Sequence, residues 1–340
     1  MKLKDLANMG PWEWPPSAAE LLLNTIRDRR AKEAARIQAV ELASEYPGGS
    51  DELADAMLAV ACDNRESAKL RSRAAISLGP VLEETDMVGF DDEDLGEPKL
   101  SEENFDRIRE ALRGLYEDDG APKEVRRRVL EASVRSPQDW HEDAIREIYH
   151  SGDREWKLTA VFGMRYVGGF EDEILESLGT EDPDIHYEAV CAAGNWELDA
   201  AWDHIAGLIK EPVDDKPLLL AAIDAVASIR PREAGPLLVD LADDEDEEIA
   251  DAATEAMAMA DAALSSEDDE FDDDEDLDDE DDEDEDDFED EDLDDEDEDD
   301  FDDDDEDDFD DEDENDFEDD DESDDVDEQD GPTDKDRTIH

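Results

Sequence analysis

Few residue types in this sequence are suited to catalysis or metal binding, and the histidines are the main ones. Two groups of them could meet in a folded chain: His141 with Asp143 and His150, and His186 with His204. Their spacing matches no common set of metal ligands. We therefore predict solvent-facing histidines on separate helices, with no metal site.

The sequence also lacks the short motifs that mark most catalytic and cofactor sites. It contains no GxGxxG, no P-loop, no GxSxG, no HExxH and no paired CxxC. We therefore expect no catalytic residue and no cofactor, and a chain that is not an enzyme. Cys62 and Cys191 stand far apart in apolar helical stretches, which predicts small buried side chains and no disulfide.

The elements that would position these side chains are amphipathic helices that recur along the chain. One small or apolar residue in each copy serves as an anchor, at intervals of 35, 55, 31, 29, 33 and 31 residues. The anchors are Ala39, Ala74, Val129, Ala160, Ala189, Ala222 and Ala253. Four positions before each anchor stands an apolar residue, and three positions after it stands a mostly small one, which together form one helical face.

A second amphipathic stretch precedes each anchor helix, so the repeating unit is a helix–turn–helix of about 30 residues. In DPDIHYEAVCAAGNW and DEDEEIADAATEAMA, an acidic turn leads into an alanine-rich second helix. On these segments the chain resembles the HEAT and HEAT-like (bilin-lyase-type) repeat proteins, over roughly residues 17 to 262. The resemblance implies a binding scaffold. Some HEAT-like relatives are chromophore lyases, but only the shared repeat points that way.

These patterns predict an all-α fold, with a right-handed α-solenoid of about seven helix–turn–helix repeats followed by a disordered acidic tail. Residues 1–16 would form an N-terminal lead-in or cap, residues 17–264 the HEAT-like solenoid, and residues 265–340 the tail. The 55-residue interval indicates an acidic insertion near residues 83–98. Its turn-rich composition favours a plain solvated loop over a binding element.

The tail carries 55 acidic and 2 basic residues, so charge repulsion and a shortage of apolar surface predict disorder. Phenylalanines interrupt the acidic run, and the last three, Phe301, Phe309 and Phe317, are spaced eight residues apart. Such an aromatic side chain would enter a pocket while the neighbouring carboxylates follow a basic surface. The alternative is a solubilising bristle without a partner.

Basic residues are relatively frequent early in the chain: residues 1–82 hold 11 basic and 12 acidic side chains, whereas residues 83–264 hold 17 and 49. If equivalent helices stack, these basic clusters would line one stripe, with Arg71, Arg73, Arg126, Arg127 and Arg128 as candidate interaction residues. We hypothesise that the tail folds back on this stripe and competes with an acidic ligand. The alternative is a solvated face with ordinary ion pairs.

Two tryptophans, Trp12 and Trp14, precede the first helix beside Pro15 and Pro16. We expect them to cover the end of the first repeat, with Ser17 as the N-cap of the helix that follows. A docking motif for a partner is the alternative, so both tryptophans are candidate interaction residues.

We predict from these surfaces a non-enzymatic scaffold that binds a protein, with a tail that engages or repels charged surfaces. The first alternative is an acidic chaperone or nucleic-acid mimic for a basic protein, and the second is a lyase-like accessory enzyme. The high negative charge argues against direct nucleic-acid binding by the full chain. Since no apolar run suits a membrane span or a secretory signal, we expect a cytoplasmic protein, or a nuclear one in a eukaryote.

Overall fold

The computed structural model of the chain describes residues 2–90, 96–211 and 215–272, with side chains up to residue 265. Within these ranges the regular secondary structure is entirely helical and no β-strand occurs. The predicted all-α fold is therefore confirmed. The predicted tail lies outside the described residues from position 273 onward, so the prediction that it is disordered stays a prediction.

The described residues form sixteen α-helices, most of them between eight and sixteen residues long. In chain order they are α1 (Leu3–Leu6), α2 (Ala18–Arg27), α3 (Glu33–Ser44), α4 (Asp51–Cys62), α5 (Ala68–Ile76), α6 (Gly79–Val88), α7 (Glu102–Glu117), α8 (Lys123–Ser133), α9 (Trp140–Tyr149), α10 (Arg154–Gly163), α11 (Glu171–Leu178), α12 (Pro183–Asn195), α13 (Trp202–Lys210), α14 (Lys216–Ile229), α15 (Pro231–Leu238) and α16 (Glu247–Asp272). Short 3-10 turns span Pro11–Glu13, Asp199–Ala201 and Leu241–Asp243.

Fourteen of these helices form seven consecutive pairs, which we number as repeats 1 to 7: α2–α3, α4–α5, α7–α8, α9–α10, α11–α12, α13–α14 and α15–α16. We call the first helix of each pair the A helix and the second the B helix. The two helices of each pair pack together, and the B helix of nearly every repeat packs against the next B helix along the chain. The contacts therefore run from neighbour to neighbour, as in a solenoid.

The predicted anchors lie at the centre of this stack, since all seven are fully buried. Small side chains at and beside the anchors allow the B helices to approach closely. At Gly194 in α12 the approach is close, because an added Cβ would lie 2.9 Å from the Cα of Ala225 in α14. The anchor pattern is confirmed as the core of the repeat region.

The predicted loop at residues 83–98 is wrong over its first part. Helix α6 continues to Val88 and packs against α3 and α8. Leu82 and Thr85 share one face of α6 and are fully buried, while Glu83 forms an ion pair with Arg135. The acidic composition hid an amphipathic helix, because its acidic side chains lie on the solvent and interface sides. Residues 91–95 are not described.

The N-terminal segment packs against the first repeat, since α1 contacts α2 and α3. Leu6 is fully buried, and the indole Nε1 of Trp14 donates to the carbonyl oxygens of Leu6 and Met9 at 3.2 and 3.3 Å. Ser17 stands at the N-cap position of α2, but its side chain makes no capping hydrogen bond.

At the other end, α16 continues to Asp272, beyond the predicted boundary at residue 264. Residues 247–272 contain no glycine or proline, and the segment around Ala262, Ala263 and Leu264 consists of good helix formers. The backbone therefore stays helical into the start of the acidic sequence.

Candidate functional site

One side chain in each B helix stands two positions after the anchor, which turns it by about 200° from the buried core. We call this set the groove row: Glu41, Ile76, Glu131, Phe162, Cys191, Asp224 and Glu255. Six of the seven are partly or fully exposed, and only Glu131 is buried. The groove row therefore contributes one side chain per repeat to the outward surface of the B helices, except at Glu131.

Two cavities open along this surface. A cavity of about 570 Å³ lies beside α3 and α5, and one of about 480 Å³ lies beside α8, α10 and α12. Both are lined by Ile76 and Arg135. They therefore adjoin each other at these two residues, and we call the two cavities together the B-helix groove.

The middle of the B-helix groove is aromatic. Phe162 and Tyr166 lie one helical turn apart, with ring centroids 5.5 Å from each other. The guanidinium of Arg135 lies 5.6 Å from the Phe162 centroid, and that of Arg165 lies 5.7 Å from it. Cation–π contacts of this kind hold both arginines against the rings. Leu158 and Tyr187 complete the apolar lining of the 480 Å³ opening at this point.

The arginine Arg165 also forms an ion pair with Glu188, at 3.1 Å. Burial nevertheless raises the pKa of the Glu188 carboxyl, against the opposing effect of Arg165. Beside it, Cys191 raises the pKa of Tyr187 to about 12, with burial adding to the effect. This part of the groove is desolvated and would favour an approaching cation.

Beyond Cys191 the groove row is acidic and lacks compensating cations. Burial, followed by the charge of Glu255 on α16, raises the pKa of Asp224 on α14. Within the described residues, neither Asp224 nor Glu255 has an ion-pair partner. Repeats 6 and 7 therefore present two uncompensated carboxylates on neighbouring B helices.

Elsewhere, cations pair with carboxylates of the following repeat at a fixed spacing. The pairs are Arg36 with Glu66, Lys123 with Asp153, Arg154 with Asp184, and Lys216 with Asp246, each separated by 30 residues. Their N–O distances range from 2.6 to 2.8 Å. The hydrogen bond from Lys123 holds the pKa of Asp153 below its usual range. We call these four pairs the inter-repeat ladder.

Three arginines of the first repeats have a further structural role. Arg36, Arg71 and Arg126 each donate from Nε to a backbone carbonyl ten residues earlier, at 3.0, 2.9 and 2.7 Å. The acceptors Ile26, Ala61 and Tyr116 are the second-last residues of α2, α4 and α7. These arginines therefore satisfy carbonyl groups that the ends of helices leave without an intrahelical partner.

The structure thus places the predicted basic residues in different surroundings. Arg71 and Arg127 are buried, and Arg127 donates to the Thr159 hydroxyl at 2.9 Å. Arg126 contacts the Tyr116 carbonyl described above. Arg73 lies 3.1 Å from Glu41, and Arg128 forms an ion pair with Glu131; these two line the groove. The arginines do not form one continuous exposed stripe, because carboxylates and carbonyl groups of the chain bind them.

The two N-terminal tryptophans have opposite environments. Trp14 is buried, whereas Trp12 is 82 % exposed and lies against Gly10. Phe301, Phe309 and Phe317 lie outside the described residues, so the proposed aromatic contacts of the tail stay a prediction.

The prediction of solvent-facing histidines is wrong at His141, which is fully buried. His186 and His204 lie on the separate helices α12 and α13, and their Nε2 atoms are 2.8 Å apart. Among the described residues, no group of three or more His, Cys, Asp or Glu side chains is placed to hold a metal ion.

Neither cysteine forms a disulfide, and both are less buried than predicted. Cys62 is exposed at the end of α4, and Cys191 is partly exposed in the groove row. Burial raises the pKa of both thiols. At neutral pH they are therefore mainly protonated, so neither is an activated nucleophile.

Sequence reasoning identified the anchors but did not identify the groove row beside them. The signal was present, since the outward residue of each B helix stands at a constant offset of two positions from the anchor. At that position the first five repeats have residues of mixed type, whereas the last two have the acidic residues Asp224 and Glu255.

Neither the models of known protein families nor the sequences of curated proteins match this chain. Among solved structures, it is similar to human deoxyhypusine hydroxylase in complex with glycerol, with 16 % identity and a TM-score of 0.35. The match covers 76 % of this chain and 88 % of the hydroxylase chain.

The prediction that the chain is not an enzyme is wrong as an exclusion, because this similar structure belongs to a hydroxylase. An identity and a TM-score this low do not transfer the activity of the hydroxylase to the present chain. No helix within the described residues is both long and apolar enough to cross a membrane.

Proposed function

We propose that this chain is a HEAT-like repeat scaffold that binds another protein in its B-helix groove. The observation that carries the proposal is the uncovered aromatic middle of the groove, where Leu158, Phe162 and Tyr187 line an opening of about 480 Å³. Concave surfaces with apolar walls and a few polar groups are typical of binding sites. The buried anchors fix the backbone around it, so the opening is held by the packing of the repeats.

Charge indicates the chemistry of the partner. Residues 1–264 hold 61 acidic and 28 basic side chains, and the ion pairs described above already engage most of the cations near the groove. Asp224 and Glu255 stay uncompensated. The segment that fits is therefore one with Lys or Arg residues beside an apolar side chain, since it would supply both contacts.

An acidic chaperone for a basic protein is the second candidate, and the 55 acidic residues of the tail favour it. In that case the tail would be the main binding element, and affinity would depend on net charge and hardly at all on the groove residues. The two candidates differ in which residues control affinity, so one set of variants separates them.

The test uses a fluorescein-labelled 12-residue peptide of alternating Lys and Leu, with a Lys-only peptide of the same length for comparison. Binding is measured by fluorescence anisotropy on the full chain and on residues 1–272. We expect the double variant Asp224→Asn with Glu255→Gln to bind the Lys–Leu peptide about fivefold more weakly in both chains, because two exposed charge pairs contribute roughly 1 kcal/mol to binding.

A matched control is Glu171→Gln with Asp172→Asn, which removes two exposed charges from the A helix α11. This control should leave the affinity unchanged. If residues 1–272 bind neither peptide while the full chain binds both, the chaperone candidate is supported and the groove proposal is rejected. Equal weakening by both double variants would also count against the groove.

A further inference from the structure

The two histidines that meet at the junction of repeats 5 and 6 have no role in the groove. His186 lies on the B helix α12, and His204 lies on the A helix α13 of the next repeat. Their Nε2 atoms are 2.8 Å apart, with ring centroids at 5.0 Å and ring planes at 74°. The pair therefore joins two successive repeats through a single N–H···N contact.

Both rings are neutral at neutral pH, which is the charge state that a metal ion requires of an imidazole ligand. Burial lowers the pKa of His186, with His204 adding to this and Asp215 opposing it, and burial alone lowers the pKa of His204. Two neutral imidazoles at this distance share one proton between their Nε2 atoms. Neutral imidazole nitrogens are common ligands of Zn²⁺, Cu²⁺ and Ni²⁺.

We propose that the Nε2 atoms of His186 and His204 together bind a divalent transition-metal ion, with Cu²⁺ preferred and water completing the coordination. The ring that carries its proton on Nε2 changes to the Nδ1–H tautomer, so two neutral ligands bind and no proton is released. No oxidation or reduction is involved. His204 is exposed, so solvent reaches the site.

The spacing of the two nitrogens favours one geometry over another. With metal–nitrogen distances of about 2.05 Å, a separation of 2.8 Å gives an angle of about 86° at the metal. That angle suits neighbouring ligands in the tetragonal sites of Cu²⁺ and Ni²⁺. A tetrahedral Zn²⁺ ion would need the nitrogens roughly 3.3 Å apart. The rings must turn to aim both lone pairs at the ion, which solvent exposure on one side permits.

Because the described residues supply no third ligand, we expect a site of moderate affinity. Its effect would be structural, since a bound ion would tie α12 to α13 and so fix repeat 5 against repeat 6. Binding to the folded state alone also stabilises that state by mass action. Neither histidine lines the B-helix groove, so the test of this site does not depend on the proposed function.

The test adds half an equivalent of CuCl₂ to the full chain at pH 7.4 and records electron spin echo envelope modulation. This signal reports imidazole ligands, so carboxylates of the acidic tail do not contribute to it. We expect the combination lines of two equivalent imidazoles. His186→Asn and His204→Asn should each leave at most one imidazole ligand and weaken Cu²⁺ binding at least tenfold. The unmodified chain should bind Zn²⁺ at least tenfold more weakly than Cu²⁺.

The control is His150→Asn, which removes an exposed histidine at the end of α9 and should keep the two-imidazole signal. Circular dichroism of each variant checks that the helices are retained. The proposal is overturned if the unmodified chain shows one imidazole or none, or if His150→Asn changes the signal as much as His204→Asn does.

Discussion

His141 lies fully buried at the start of α9, where its environment allows only the neutral ring. Its Nδ1 accepts a hydrogen bond from the backbone N–H of Gln138 at 2.9 Å, which places the proton on Nε2. That Nε2–H can donate to the Ser133 hydroxyl at 3.0 Å. Burial, with a smaller contribution from the nearby cation of Arg109, lowers the pKa of His141 to about 3.

We predict that His141 makes the protein less stable as the pH falls from neutrality. In the unfolded chain the ring binds a proton near pH 6.5, whereas in the folded chain it does so only near pH 3. Stability is therefore present above pH 6.5 and is lost progressively between these values, by about 2 kcal/mol from pH 7 to pH 5. Urea unfolding at both pH values measures the loss.

The comparison is with His141→Gln, which should be less stable at pH 7 but should lose less stability between pH 7 and pH 5. His150→Gln serves as the surface control and should behave like the unmodified chain. Carboxylate protonation affects all three proteins alike, so the difference between them isolates His141. An identical loss in His141→Gln would show that this ring is not the titrating group.

At the scale of the helix, the close approach of neighbouring B helices decides which residues the repeats tolerate. Gly194 in α12 has the backbone of Ala225 at 2.9 Å from the position of an added Cβ. Gly114 in α7 has no atom within 4 Å of that position. The two glycines are both helical, but only one of them faces another helix.

We predict opposite effects for the same substitution at these two glycines. Gly194→Ala should destabilise the protein by about 1–3 kcal/mol, because α12 and α14 must move apart. Gly114→Ala should stabilise it by roughly 0.5–1 kcal/mol, because alanine has the better helix propensity and meets open space. Denaturant unfolding of the two variants checks both signs, and destabilisation by Gly114→Ala would contradict the account.

The helices themselves were largely predictable, because the core of this stack depends on local periodicity. Apart from the one 55-residue interval, the anchors recur at nearly constant spacing, and each proved buried. Helix α6 was missed because its acidic composition suggested a loop, although Leu82 and Thr85 form a buried face. The periodicity of one short helix is a weaker signal than seven aligned copies.

The candidate site was less predictable, because it depends on contacts between repeats. Arg71 appears in the sequence as part of a basic cluster, but its partner is a backbone carbonyl in another helix. The meeting of His186 and His204 depends on how α13 packs beside α12. Such distances follow from the packing of helices, and residue type alone does not give them.

At the scale of the whole molecule, net charge opposes the compact state. The chain carries a formal charge of −86. Residues 273–340 account for much of it, since they hold 50 acidic and 2 basic side chains. Exposed ion pairs such as those of the inter-repeat ladder contribute little each, so general repulsion between carboxylates should dominate the response to salt.

We predict that the thermal midpoint rises when NaCl is increased from about 10 mM to about 150 mM, because salt screens this repulsion. The rise should be smaller for residues 1–272 alone. A chain in which residues 273–340 are replaced by a neutral Gly/Ser sequence of equal length separates charge from length, and it should resemble residues 1–272. Circular dichroism at 222 nm measures each midpoint, and equal salt shifts in all three proteins would contradict the prediction.

The neighbour-to-neighbour packing of the seven helix pairs also determines how the molecule responds to force. A pull applied at both ends loads the junctions between repeats in series, so every junction carries the same tension. The weakest junction opens first, and the others hold until it has extended. One released repeat of about 30 residues lengthens the chain by roughly 100 Å at full extension. We therefore expect the repeat region to lengthen under load in steps of one repeat.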